Sequence, residues 1–201
     1  MDRAPETATT KGEQTRRAIL DAAIARFGRE GYRSTSVADI ARDAALGGTV
    51  AYAYFPNKEA LFFAAVDEDA AGVIEEGVSG AFAETDVPDW WQTLIATLVA
   101  ALDHHPLARR LLAGLEPDVT SRVLEMPALA ELRKACAAQL AADQVAWSVR
   151  TDIDLVTMSN GIVAIMLSLL MSVVQLGEDT ATRYSGDIAA VFDAAIRRAP
   201  R

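Results

Sequence analysis

The sequence has a single cysteine, Cys136, and two histidines among 201 residues. One thiol can form no internal disulfide and offers no thiolate cluster for zinc, so nothing in the thiol content points to an oxidising compartment. The two histidines are adjacent, His104 and His105; neighbours on a helix face different ways and lack the four-residue spacing of a metal pair. There is no Gly-rich phosphate loop, no H-E-x-x-H and no G-x-S-x-G, so no catalytic residue, metal ligand or cofactor is assigned. Twelve glycines and seven prolines are too few for a collagen-like or low-complexity chain, and a hydrophobic fraction of 51% is enough for a buried core. The longest apolar run, Gly161 to Leu176, is interrupted by Ser168, Ser172 and Gln175 and is expected to be too short to span a bilayer. Met1 to Glu6 lack the apolar stretch of a signal peptide, and the expected location is cytoplasmic.

Positive charge is also scarce, with a net charge of −9, but the deficit is uneven. Residues 1–60 hold nine Lys/Arg against eight Asp/Glu, whereas the remainder holds ten against twenty. A near-neutral, arginine-bearing head beside an acidic body is compatible with DNA binding through the head, and ordinary surface variation produces the same asymmetry.

What is abundant is apolar spacing of three and four residues, which predicts an all-α fold. Thr10-Lys11-Gly12-Glu13 has the form of a capping box, and Leu20, Ala23, Ile24 and Phe27 carry one face of a first helix until Gly31 stops it. Ser36 caps a short second helix through Val37, Ile40, Ala41 and Ala44. Thr49 to Phe55 are expected to form a third helix, ended by Pro56, and Asn57 caps a fourth. Lys58 in the first turn opposes the helix dipole at a cost of about 0.3–1 kcal/mol; an external phosphate would convert this into an anion site, while a solvated lysine beside Glu59 explains it equally. Further helices are predicted at about 58–84, 88–104, 106–114, 117–124, 127–149, 152–176 and 181–199, with Pro88, Pro106, Pro117 and Pro127 near starts and Gly177 at a stop.

Two short helices supported by a longer one form a helix-turn-helix, whose second helix fits the major groove. The residues Gly31-Tyr32-Arg33-Ser34-Thr35-Ser36-Val37-Ala38-Asp39-Ile40-Ala41 and Tyr52-Ala53-Tyr54-Phe55-Pro56-Asn57-Lys58-Glu59-Ala60-Leu61 resemble the DNA-binding domain of the TetR family of bacterial transcriptional regulators. The resemblance covers about residues 11–62. It implies a disordered tail over 1–10, a DNA-binding domain over 11–57 and a helical ligand-binding and dimerisation domain over 58–201. It also implies phosphate contacts from Tyr52, Tyr54 and Lys58, with Thr35 and Ser36 at the start of the second helix, and base-edge positions at Ala38, Gly48, Thr49, Val50 and Ala53. None of those five is Arg, Lys, Asn or Gln, so base readout is expected to be thin and DNA shape correspondingly important. The sequence departs from the family pattern at Ala45, in place of the turn glycine, and at Gly47, in place of a capping serine. A left-handed backbone at Ala45 would cost about 1 kcal/mol, so Gly47 and Gly48 are expected to absorb the unusual dihedrals.

Beyond residue 62 the resemblance reduces to architecture. The last two long helices resemble the family's dimer-forming pair, and Ile162, Ile165, Leu169 and Val173 are expected at the seam of a homodimer on a palindromic operator. Phe82, Trp90, Trp91, Trp147, Met158, Asn160 and Met166 are candidate walls of a cavity for a small, largely apolar effector, each explicable as ordinary core. Cys136 reads as a small core residue, with a redox-sensing thiol as the other reading. The function expected is repression relieved by a ligand; the alternative is a helical ligand-binding or assembly protein without DNA activity, in which the Tyr52–Leu61 block would have no evident use.

Overall fold

The computed structural model describes residues 10–81, 90–120 and 126–197. The tail over 1–9, Phe82 and Pro88 lie outside the described residues. Helix α1 (Lys11–Ser34) begins on the expected capping box: the Thr10 hydroxyl accepts from the Glu13 N–H at 3.3 Å, and the Glu13 carboxylate accepts from the Thr10 N–H at 2.6 Å. The helix kinks at Gly31, whose φ of 82° is the left-handed region where glycine carries no Cβ penalty. Ser36 caps α2 (Val37–Asp43) by accepting from the Asp39 N–H at 3.1 Å. Asn57 caps α3 (Lys58–Ala81) in the same way, accepting from the Ala60 N–H at 2.8 Å.

Between α2 and α3 the structure differs from expectation twice. Ala45 itself takes the left-handed conformation, φ 57°, while neither Gly47 nor Gly48 has positive φ. The turn is closed by the Leu46 N–H on the Ala41 carbonyl at 2.8 Å, a helix-ending bond that fixes the unusual residue at Ala45 whatever its side chain. The expected third helix is reduced to a 3₁₀ turn, Val50–Ala53, because Thr49 provides no side-chain cap and Pro56 follows closely.

The chain divides into two units, one ending at Glu68 and one beginning at Asp69. The boundary lies eleven residues beyond the expected one because the first three turns of α3 pack in the first unit: Leu61, Phe62, Ala65 and Val66 are buried with Phe27, Ile40 and Phe55. Phe62 meets Phe27 edge-on at 5.0 Å between ring centroids and Tyr32 at 4.9 Å, the offset geometry aromatic quadrupoles favour.

The second unit contains the rest of α3 with α4 (Trp90–Ala101), α5 (Pro106–Leu112), α6 (Pro117–Thr120), α7 (Pro127–Val145), α8 (Leu155–Leu176) and α9 (Glu178–Ile196). Pro106 and Pro127 occupy helix starts, where a missing N–H costs nothing. Helix α7 ends four residues early, before Trp147 at φ 64°, and Gly177 at φ 93° separates α8 from α9. At 22 residues, α8 is long and apolar enough to cross a membrane by length and composition, contrary to expectation. Here it packs along α7 and α9 and crosses α4 and α5, which accounts for apolar residues on several of its faces. Among the described residues the only β pairing is an isolated bridge between Val149 and Arg197, so the fold is all-α.

Candidate nucleic-acid interface

The short elements after α1 bring most of the expected DNA-facing residues to the surface of the first unit. Ala38, Gly48, Thr49, Tyr52 and Ala53 are exposed, and Val50 and Tyr54 half-buried. A Cβ built on Gly48 would lie 3.9 Å from that of Ala38, so these two positions from different elements form one small-residue surface. Among the five expected base-edge positions Thr49 has the one hydroxyl, and it caps no helix. These five positions therefore carry little polar functionality.

Thr35 departs from expectation. It is 3% exposed, and its hydroxyl donates to the Gly31 carbonyl at 2.8 Å, satisfying an acceptor freed by the kink in α1. That makes it a structural residue. The exposed Ser36 donates its hydroxyl to the Asp39 carboxylate at 2.6 Å. That bond and the neighbouring Arg26 and Arg42 hold the Asp39 carboxyl below the usual carboxylate range. Arg42 is itself paired with Asp39 at 3.0 Å, and so is committed within the helix. Lys58 is half-buried, its ammonium 4.4 Å above the Tyr32 ring; this cation–π contact accommodates a charge that the helix dipole disfavours.

The second unit contains an apolar cavity of about 70 Å³. Ile74 of α3, Leu98 of α4, Leu111 of α5, Leu132 of α7 and Val163 and Met166 of α8 are among its lining residues, which are all hydrophobic. Of the expected walls among the described residues, Met166 alone lines it. Trp90 is core, its indole N–H donating to Asp143 at 2.9 Å, and Trp91 meets Phe192 in a tilted arrangement at 5.0 Å. Met158 is half-buried elsewhere in the core; Asn160 and Trp147 are exposed. Trp90 and Trp91 serve the unit's core, and aliphatic residues line the cavity.

The four expected seam residues separate likewise. Ile162 and Val173 are 1% and 6% exposed, turned into the unit's own core, Leu169 is half-buried and Ile165 is 39% exposed. Ile165, Leu169 and the exposed Leu176 share one outer face of α8 at helical spacing. Cys136 is fully buried, and burial pushes its thiol up to about 12, which removes the thiolate a redox sensor needs.

One feature near the cavity escapes sequence reading. Asp69, 3% exposed, accepts from the Leu107 and Ala108 N–H groups at 2.9 and 2.8 Å and lies 2.8 Å from His105 Nδ1. The carboxylate thus caps α5, the helix that supplies Ala108, Leu111 and Leu112 to the cavity. A Cβ on Gly72 would lie 2.3 Å from the His105 ring, so glycine at this position admits the imidazole. Glu76 meets the other ring nitrogen at 3.2 Å, and the hydrogen bond from His105, aided by His104, holds its carboxyl below the usual range. Asp69, Gly72 and Glu76 are legible as one helix face, but not as the seat of a histidine 29 or more residues away.

The first unit has the helix-turn-helix arrangement of DNA-binding domains, and the second unit is all-helical with an apolar cavity. Residues 19–65 match the family model described as bacterial regulatory proteins, tetR family. That stretch of the first unit is similar to the DNA-binding domain of the TetR family. The chain's fold is similar to that of a putative TetR-family transcriptional regulator from Mesorhizobium loti MAFF303099, with TM-score 0.72 and 22% identity over 94% of this chain and 100% of that one. A TetR-family transcriptional regulator from Cytophaga hutchinsonii is similar at TM-score 0.72 and 18% identity, over 96% and 100% of the two chains. A gamma-butyrolactone receptor described as ArpA-like is similar at TM-score 0.54 and 22% identity, over 94% and 90%. No curated protein matches the sequence.

Proposed function

We propose that the protein is a homodimeric repressor that occupies a palindromic operator and leaves it when a small, uncharged, apolar effector fills the cavity of its second unit. The observation that carries this reading is the cavity lining: hydrophobic residues throughout, in a chain whose other unit is a helix-turn-helix. A site without donors or acceptors selects by shape and rejects charge, since an ion brought into it would lose hydration with no compensation. Similarity to a gamma-butyrolactone receptor supports a small-molecule input.

At the DNA, Tyr52, Tyr54 and Lys58 meet phosphates, while Ala38, Gly48, Thr49, Val50 and Ala53 face base edges and thymine methyls. Helix α3 is the lever. Its first turns carry Lys58 and belong to the first unit's core, and further along Val73 and Ile74 line the cavity. Two heads must enter successive major grooves about 34 Å apart, so an effector that favours another spacing lowers DNA affinity, and DNA lowers effector affinity reciprocally.

Titrating uncharged alkyl and aromatic compounds against the protein bound to the promoter fragment of its own locus tests the switch. A compound that binds wild type but not Ala108→Phe, which fills the cavity from α5, is expected to weaken DNA binding. A hundredfold effect requires about 2.7 kcal/mol of preference for the DNA-incompetent state. A compound that binds the cavity and leaves DNA affinity unchanged, or tightens it, contradicts repression relieved by ligand.

A further inference from the structure

The cations of the first unit fall into two groups. Arg17 pairs with Asp21 at 2.9 Å and with Glu68, Arg26 with Asp43 at 2.7 Å, Arg29 with Glu30 at 3.1 Å and Arg42 with Asp39 at 3.0 Å. Arg16 has no carboxylate partner among the described residues, although its neighbour in sequence has two. Its guanidinium lies 5.2 Å from the centroid of the Phe55 ring, and Phe55 is 4% exposed, a buried and therefore fixed platform. Lys58, three residues further on, is held over Tyr32 in the same manner. Tyr54, which precedes the platform, brings its hydroxyl to 4.0 Å from where a Cβ on Gly12 would stand, beside the first turn of α1. Arg16 and Tyr54 thus both lie beside the first turns of α1, next to the Phe55-Pro56-Asn57 corner that leads into Lys58.

We propose that Arg16 is a phosphate-binding residue of the DNA interface, a role that neither the sequence pattern nor the family resemblance assigned to it. The inference rests on the DNA-binding reading above. Whereas Arg17, Arg26, Arg29 and Arg42 of the same unit are paired with carboxylates, Arg16 is exposed, has no carboxylate partner among the described residues and lies over a ring face. A guanidinium resting over a ring face keeps its five in-plane N–H donors available for the oxygens of a phosphate. Holding a long side chain in place beforehand also reduces the conformational entropy lost on binding.

The test measures binding of the full chain to a 30-bp duplex of arbitrary sequence across a salt series, because phosphate contacts are independent of sequence. Arg16→Gln keeps much of the stem over Phe55 and removes the charge; Arg16→Lys restores charge without the planar fork. Each Arg16→Gln subunit is expected to reduce the log–log salt slope by about 0.9 and to weaken binding about five- to tenfold at 0.1 M salt, with circular dichroism unchanged. Arg16→Lys should recover the slope and only part of the affinity. If wild type binds and folded Arg16→Gln retains its slope and affinity, Arg16 is not a phosphate contact and the DNA reading stands. If wild type shows no salt-dependent binding to any duplex, including its own promoter, the DNA reading fails and this inference fails with it.

Discussion

Replacing Asp69 by alanine is expected to destabilise the second unit by about 3–5 kcal/mol, the range for removing one member of a buried charged network. The carboxylate is 3% exposed and accepts from two backbone N–H groups and His105. Its removal leaves two buried donors at the start of α5 without partners, each costing about 1–3 kcal/mol, while the Gly72 notch still holds the imidazole in place. For a chain of this length the loss corresponds to a fall in melting temperature of about 10 °C. Asp69→Asn, whose amide oxygen can still accept from α5, should retain a substantial part of the stability. A melting temperature for Asp69→Ala within about 2 °C of wild type would show that α5 does not depend on this cap.

The second large effect concerns the proposed dimer. Ile165→Glu combined with Leu169→Glu places two carboxylates per chain on the outer face of α8, where Ile165 is 39% and Leu176 71% exposed. Burial of these charges in a symmetric seam would cost several kcal/mol, so light scattering is expected to report a folded monomer where wild type is a dimer. Val173→Glu should act differently: at 6% exposure it faces the unit's own core, and a charge there is expected to unfold the chain rather than dissociate it. A folded, dimeric Ile165→Glu/Leu169→Glu protein would place the interface elsewhere.

These contrasts show what spacing reveals and what it leaves open. The caps at Thr10, Ser36 and Asn57 were legible because each depends on a side chain and a backbone N–H within three residues. Gly31 was legible as a break for the same local reason, although the helix resumes to Ser34 instead of stopping there. The face of α8 turned outward was not, because a helix packed against four others is apolar on several sides, and Ile162 and Ile165 look alike until those neighbours are placed. The cavity was misread in the same way. Tryptophans suggested walls by size, whereas Trp90 and Trp91 are buried in the core and Trp147 is exposed, and the space is left among aliphatic side chains. Ala45 shows a local rule overruled: the helix-ending bond between Leu46 and Ala41 imposed a left-handed residue that glycines two and three positions later could not replace. Asp69 and His105, 36 residues apart, belong to contacts that only the assembled helices define.

The most direct measurement is the affinity of the ligand-free protein for the labelled promoter fragment of its own locus between 50 and 200 mM salt. With Lys58 and Arg16 each neutralising one phosphate in both halves of a dimer, the dissociation constant is expected to rise on the order of a hundredfold over that range. Lys58→Ala should flatten the dependence and weaken binding to all sequences alike. An affinity that does not change with salt, or no binding to any fragment from the locus, would contradict the account.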